Sequence, residues 1–521
     1  MTMMVLKGIR LPVLKRKAHA PTAKVTFRLM PLIAVVRGNV IDKYNVGQAS
    51  VLIVDEGGRG RYIISEPEMS EEEQSIYSLL MEYLYYSLKP AVAVDDPGRY
   101  VEKYIWDAAG DLGIVDAVSR SFQKYKYYIS RDAFGYGLIN VPMNDPYVEE
   151  ISCEGYDKPV AVIHRKYTEY DWLDTNIKFG SEDVLRSFVQ RLAQRCGKSV
   201  TVAVPFTDAM TKEGHRIAVT FSGEVSLPGS SFDIRRFPEE PFTIGHIVKF
   251  GTMSPLMAAY YWLLVENKGF VMIIGPMGSG KTSMINSLAT MISPTMKICT
   301  IEDTPELRLP HVHWERLKAR HTYSITETKF DVSLMDLTKL SMRFRPDYII
   351  VGEVRGEEIR ALVQAAATGH GCITSFHAES PEAAIVRMQS PPMDVALGGI
   401  MLIWNFLLMN RVRREDGRIV RRALVSKELV PSVNEIRLST VFEWDARTDT
   451  FMPDEPYEVV RRSYRLKEIS RLTGWSEDDI AGELEERSAF IKKAVEDGKI
   501  AFGEFSTVIG EFYSKRILGD R

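Results

Sequence analysis

Across 521 residues, 69 acidic and 66 basic side chains nearly balance, leaving a net charge of −3. That balance excludes a chain built throughout to bind polyanions, and the length admits about two to four domains with large buried cores. Four widely separated cysteines (Cys153, Cys196, Cys299, Cys372) with no C-x-x-C pair exclude a zinc knuckle and a disulfide framework, and suit a reducing compartment.

Met1 to Leu29 carries Lys7, Arg10, Lys15, Arg16, Lys17, Lys24 and Arg28 and no acid. It lacks the apolar core of a cleaved signal peptide. It reads as a solvated basic tail (residues 1–30) or as a contact with anionic lipid or an acidic partner, to which each basic residue contributes on the order of 1 kcal/mol. Residues 31–66 hold short apolar runs, Leu32–Val36, Val51–Val54 and Tyr62–Ile64, divided by turn residues such as Gly57-Gly58, and predict a small β-rich unit. A helix capped by Ser70 follows, with Glu71 to Glu73 in its first turn and Ile76, Leu80, Leu84 and Leu88 on one face. Pro90 and Asp95-Asp96-Pro97-Gly98 break the chain, so residues 31–98 form a first subdomain.

A helical stretch over about 99–125 leads into a mixed α/β region ending near 237. Within it, Ser181 to Gly197 predicts a helix, with Gly197 as its C-cap. Pro238-Glu239-Glu240-Pro241 predicts the main linker, placed at 238–242. From 243 to 445 strands and helices alternate, the pattern of a parallel sheet covered on both faces. Helices are expected at 254–266, 333–343 and 357–367, and strands at 270–274, 297–302, 347–351 and 372–376. After about 395 the chain reads as helical, with a hairpin at 418–425 and 437–444; residues 446–521 read as a helical C-terminal region.

The most informative stretch is Gly275-Pro276-Met277-Gly278-Ser279-Gly280-Lys281-Thr282, which fits G-x-x-x-x-G-K-[ST]. Chance gives about 0.02 such matches in a chain this long, and the context of apolar strand before and helical period after is the one the motif requires. The loop from Gly275 to Ser283 would turn backbone N–H groups onto phosphate oxygens, with Lys281 on the terminal phosphates and the Thr282 hydroxyl on Mg²⁺. Three further clusters fall at the C-terminal ends of predicted strands, where α/β sheets place ligands: Glu302-Asp303-Thr304-Pro305-Glu306, Gly352-Glu353-Val354-Arg355, and Thr368-Gly369-His370-Gly371 followed by His377-Ala378-Glu379. Hydrolysis of a nucleoside triphosphate needs an oriented water, a metal at the β- and γ-phosphates and positive charge for the transition state. Carboxylates near the metal supply the first two needs and arginines the third. His311 and His313 beside Trp314 form only one loop pair, a poor metal site.

In this order the clusters resemble those of the type II and type IV secretion ATPases, which drive type IV pilus, archaellum, secretion and conjugation machines. The Gly275 loop matches that family's nucleotide loop, the Glu302 segment its aspartate box, Asp347–Glu353 its Walker B segment, and Thr368–Ala378 its histidine box. Gly214-His215-Arg216 and Ile234-Arg235-Arg236-Phe237 resemble its N-domain arginine segments. Thr243–Pro255 and Gly474–Tyr513 look most like the archaeal pilus and archaellum branch. Two departures stand out: Gly352 holds the usual Walker B aspartate position, and the four-cysteine zinc module of many bacterial members is absent.

The resemblance implies a RecA-like P-loop NTPase core with a separate α+β N-terminal domain (99–237), ATP and Mg²⁺ as ligands, and a homo-hexamer. By matching position, Glu306 would orient or deprotonate the attacking water, and Glu353 would hold Mg²⁺ with Thr282 or assist. His370 and His377 would sense the phosphate, and Arg216, Arg235 and Arg236 would reach the phosphates across subunits. It further implies an ATPase at the cytoplasmic face of the membrane, working through a polytopic platform protein on prepilin-like subunits, with no nucleic acid. Two alternatives share the motifs: a conjugation-type nucleic-acid translocase, and a non-hydrolysing scaffold that assembles with nucleotide.

Overall fold

A computed structural model describes residues 27, 29–87, 97–237, 240–320, 331–414, 417–431 and 435–519. The basic residues from Lys7 to Arg28, Leu88, the break at Pro90 and Asp95-Asp96, and Pro238-Glu239 of the expected linker lie outside the described residues. The chain forms two compact units.

The first unit takes the chain through Val162 together with Trp172–Phe188 and Leu227–Ser231. Its strands are β1 (Asn39–Val46), β2 (Ala49–Asp55), β3 (Gly60–Ser65), β4 (Val148–Cys153), β5 (Ala161–His164) and β6 (Leu173–Thr175), in sheet order β1-β2-β3-β6-β5-β4. Val46 pairs with Ala49 across the two-residue turn Gly47-Gln48, in which Gly47 has φ +60°. The run Leu32–Val36, expected as a strand, is irregular. Leu32 donates its N–H to Glu66 (2.9 Å), and the buried Glu66 is itself clamped by Arg131 at 2.6 Å. A side-chain anchor holds this segment where a ladder was expected. Helices Glu71–Ser87, Pro97–Leu112 and Phe122–Ile129 pack Ile76, Tyr77, Leu80 and Leu84 against Val101, Ile105, Tyr125 and Tyr128.

The second unit takes Ile163–Asp171, Val189–Ser226 and Phe232–Arg521. It contains β7 (Phe206–Met210), β8 (Arg216–Thr220) and β9 (Ser231–Arg235), adjacent in the order β9-β8-β7. Its main sheet has β10 (Phe270–Ile274), β11 (Ile298–Glu302), β12 (Trp314–Lys318), β13 (Tyr348–Val354), β14 (Gly371–Phe376), β15 (Asn405–Arg413), β16 (Ile419–Val430), β17 (Arg437–Asp445) and β18 (Thr450–Met452). The order is β12-β11-β13-β14-β10-β15-β16-β17-β18. The first six strands are mutually parallel and the rest antiparallel. Strands β10, β11 and β14 are buried at every position, as two covered faces demand. A parallel sheet whose central strand runs into a phosphate-type loop and helix is the RecA-like arrangement expected from the sequence.

One expectation fails here. The chain after 395 is not mainly helical: a short turn of helix at Leu397–Ile400 gives way to β15, which lies beside β10. The apolar run ending at Met409 is buried on both faces of the sheet, so it carries no alternation that would separate strand from helix. Helices return from Pro456. The last two, Glu477–Glu496 and Phe502–Gly519, pack on the Pro255–Glu266 helix, which is buried from Leu256 to Val265. There Trp262 donates to the Tyr513 hydroxyl (2.9 Å), and the fully buried Arg487 bonds Glu483 at 3.0 Å and pairs with Glu266.

Candidate functional site

Parallel register brings four strand tips to one edge. Ile274 of β10 pairs with Phe376 of β14, Val354 of β13 also meets Phe376, and Ile301 of β11 pairs with Val351. The Gly275 loop, Glu302, Glu353 and His377 therefore emerge side by side. The loop geometry depends on its glycines. Gly275 has φ +149°, and a Cβ there would lie 2.1 Å from the Met409 carbonyl oxygen. Gly280, the residue before the Lys281–Ala289 helix, has φ +92°.

Lys281 is buried. Its ammonium donates to the carbonyls of Gly275 (3.0 Å) and Pro276 (2.8 Å) and stands 3.3 Å from Nδ1 of His377. Burial lowers its pKa to about 8, against the pull of Glu353. The Ser279 hydroxyl, also buried, has no hydrogen-bond partner among the described residues. A buried orphan hydroxyl within a positive-φ glycine loop at a helix start fits an anion with several acceptor oxygens.

Opposite the loop lies a cleft lined by Arg216, Thr282, Glu302, Asp303, Thr304, Glu306, Leu334, Gly352, Glu353 and Arg355. Register slips between Val351 and Val354, so the ladder is broken at Gly352-Glu353, a bulge that aims Glu353 off the strand. The freed carbonyls are satisfied from β14: Thr374 donates to Val351 (2.8 Å) and Ser375 to Gly352 (2.7 Å). Glu353 lies 2.7 Å from both His377 Nε2 and Arg355 Nη2. Burial pushes its carboxyl up, but Arg355, His377 and Lys281 together hold it below the ordinary value. Burial, then Lys281, hold His377 below the ordinary imidazole value.

Burial raises the Glu306 pKa, opposed by Arg235, a hydrogen bond from Thr282 and Arg216. Glu302, the last residue of β11, is 5% exposed. Its Oε1 accepts from the N–H of Glu306 (2.7 Å) and Leu307 (3.0 Å), and burial raises it to about 7. Gly352 stands directly beside it: a Cβ there would come 3.2 Å from Cγ of Glu302. The glycine at the Walker B position thus makes room for a carboxylate from the neighbouring strand.

Of the residues singled out in the sequence, Lys281, Thr282, Glu306, Glu353, His377, Arg216 and Arg235 come together around this cleft. Arg216 lines it from within the same chain, with Nε 3.1–3.2 Å from both oxygens of Asp208. Arg236 is not among the lining residues.

His370 corrects one expectation: its cluster stands before β14, at the N-terminal end of that strand and not at a C-terminal one. It precedes β14, beside Asp347 at the start of β13, and its Nδ1 is 3.0 Å from Thr368 Oγ1 and from the Ala365 carbonyl. Six residues of strand, about 20 Å, separate that edge from His377. The strand expected at 372–376 runs between the two histidines, so only His377 stands at its C-terminal tip. His311 is likewise internal, with Nε2 3.1 Å from the Ile292 carbonyl.

The sequence reading passed over Glu302, Arg355 and Asp208 as individual site residues. The signal for Glu302 was its place as the charged last residue of an apolar run. Among the described residues, no group of three or more His, Cys, Asp or Glu would hold a metal. Thr282 and Glu353 fit Mg²⁺, which takes one or two protein ligands and shares the rest with phosphate and water.

The sequence model of the family described as "Type II/IV secretion system protein" matches residues 146–402. The uncharacterized protein MJ0900 of Methanocaldococcus jannaschii is 30% identical over 492 residues, covering 88% of this chain and 86% of that protein. MJ1287 of the same organism is 40% identical over 270 residues, 51% of this chain and 96% of that one. Among solved structures, the Legionella pneumophila ATPase DotB aligns over 72% of this chain and 95% of its own, at 16% identity and a TM-score of 0.40.

Proposed function

The chain belongs to the type II/IV secretion system protein family, and from that premise we propose that it is a hexameric, Mg²⁺-dependent ATPase. It powers assembly of a type IV pilus-like filament or type II secretion from the cytoplasmic face of the membrane. The reaction is ATP plus water to ADP plus phosphate. The single observation that supports it best is the clustering of a glycine phosphate loop, two carboxylates, a histidine and an arginine at one sheet edge.

In this reading Lys281 exchanges the Gly275 and Pro276 carbonyls for phosphate oxygens, which its position inside the loop prepares. Glu306, raised by burial, accepts the proton of the attacking water. Thr282 and Glu353 hold Mg²⁺, which when bound neutralises charge on the β- and γ-phosphates. His377, 3.3 Å from Lys281 and 2.7 Å from a Glu353 oxygen, reports whether the terminal phosphate is in place. Arg216 and Arg235 offset the charge that spreads over the transferred group. Motion of the ATPase core against the N-terminal segments then passes to a polytopic membrane partner, which inserts prepilin-like subunits.

The test is Glu306→Gln. Nucleotide affinity should stay within about threefold, while turnover falls on the order of a hundredfold or more, the scale of a lost general base. Wild-type turnover in this variant would remove Glu306 from the mechanism and point to Glu353. Duplex or single-stranded DNA should leave the wild-type rate unchanged; steep, salt-sensitive stimulation would favour a conjugation-type translocase.

A further inference from the structure

Lys281, His377 and Glu353 all lie on the β14 side of the phosphate loop. In sheet order β10 sits between β14 and β15, so the loop has a second flank, formed by the β15–β16 hairpin. This hairpin is dense in arginine: Arg411, Arg413, Arg414, Arg418, Arg421 and Arg422. Arg422 bonds Asp449 through Nε and Nη2 (2.8 and 2.9 Å), Arg414 pairs with the same carboxylate, and Arg413 is 3.9 Å from Asp171.

Arg411 and Arg421 have a different setting. They are directly opposite one another in the antiparallel register, and both are exposed. Both lie against the glycine loop. Arg421 donates from Nε to the Gly278 carbonyl at 3.1 Å, and a Cβ built on Gly280 would meet its Cδ at 3.2 Å. A Cβ on Gly278 would meet Cδ and Nη1 of Arg411 at 3.7 Å. Both arginine side chains thus lie against a loop whose N–H groups favour anions. Guanidinium forks match phosphate oxygens in geometry as well as charge.

We propose that Arg411 and Arg421 form a second, same-chain wall of the nucleotide site, gripping the polyphosphate from the flank opposite Lys281. The proposal rests on the ATP reading above. The hairpin is tied down independently of that wall: Thr168 Oγ1 accepts from the Ile419 N–H (3.1 Å) and donates to the Ile419 carbonyl (3.2 Å). Removing the exposed arginines should therefore leave the hairpin in place.

The experiment is titration of ATP, and separately of inorganic pyrophosphate, into wild type, Arg411→Gln, Arg421→Gln and the double variant. Thermal midpoints and the Arg421→Lys variant accompany it. Each single variant should bind ATP about tenfold more weakly, the loss of one charge-assisted contact. Pyrophosphate should weaken in parallel, midpoints should stay unchanged, and Arg421→Lys should recover part of the loss. Wild-type affinities in the double variant would overturn the proposal while leaving the ATP reading intact. Weakened ATP binding with unchanged pyrophosphate binding would move the arginines to the nucleoside and overturn the phosphate assignment. A wild-type protein that binds neither probe would overturn both readings.

Discussion

Glu302→Gln isolates one carboxylate in the cleft without changing its shape. Glu302 is raised from 4.5 to about 7, chiefly by burial. Between those values the folded chain keeps a proton that the unfolded chain has released, so stability falls as pH rises through this window and levels off above it. The gap corresponds to ~3 kcal/mol. Glutamine retains the carbonyl oxygen that accepts from Glu306 and Leu307 and cannot ionise. The variant should therefore match wild type near pH 4.5 and exceed it at pH 8 by ~3 kcal/mol, about 5 °C in the midpoint of a domain this large. Thermal melts of both proteins from pH 4.5 to 8.5 make the comparison. A difference that is absent, or constant across pH, would refute burial as the cause.

Gly275→Ala should abolish measurable nucleotide binding in a fluorescence titration. Its φ of +149° and the 2.1 Å approach of a Cβ to the Met409 carbonyl force the loop to move; unchanged affinity would contradict that. Glu428→Ala should loosen the C-terminal helices. This buried carboxylate accepts from Tyr260 (2.5 Å), Ser463 (2.6 Å), and the N–H groups of Tyr464 (2.6 Å) and Arg465 (3.0 Å). Leaving those donors unpaired costs about 3 kcal/mol or more, read as faster limited proteolysis beyond residue 456; wild-type resistance would refute it.

Local chemistry made part of this architecture readable. The Gly275–Thr282 loop carries its own geometry in consecutive residues, and apolar runs such as Phe270–Ile274 and Cys372–Phe376 mark covered parallel strands. What stayed hidden depends on pairing across distance. The role of Gly352 emerges only beside Glu302, fifty residues away, and the pairing of Arg411 opposite Arg421 requires knowing the β15–β16 register. The apolar stretch leading into β15 has no alternation because both of its faces are covered.

The central claim is that the Gly275 loop holds ATP for hydrolysis, with Lys281 on its phosphates. Steady-state phosphate release with Mg²⁺-ATP, compared between wild type and Lys281→Ala, tests it most directly. The account expects turnover in the wild type and loss to below about 1% in the variant, the scale of removing a preorganised charge from the transition state. Equal turnover in the two proteins would contradict it.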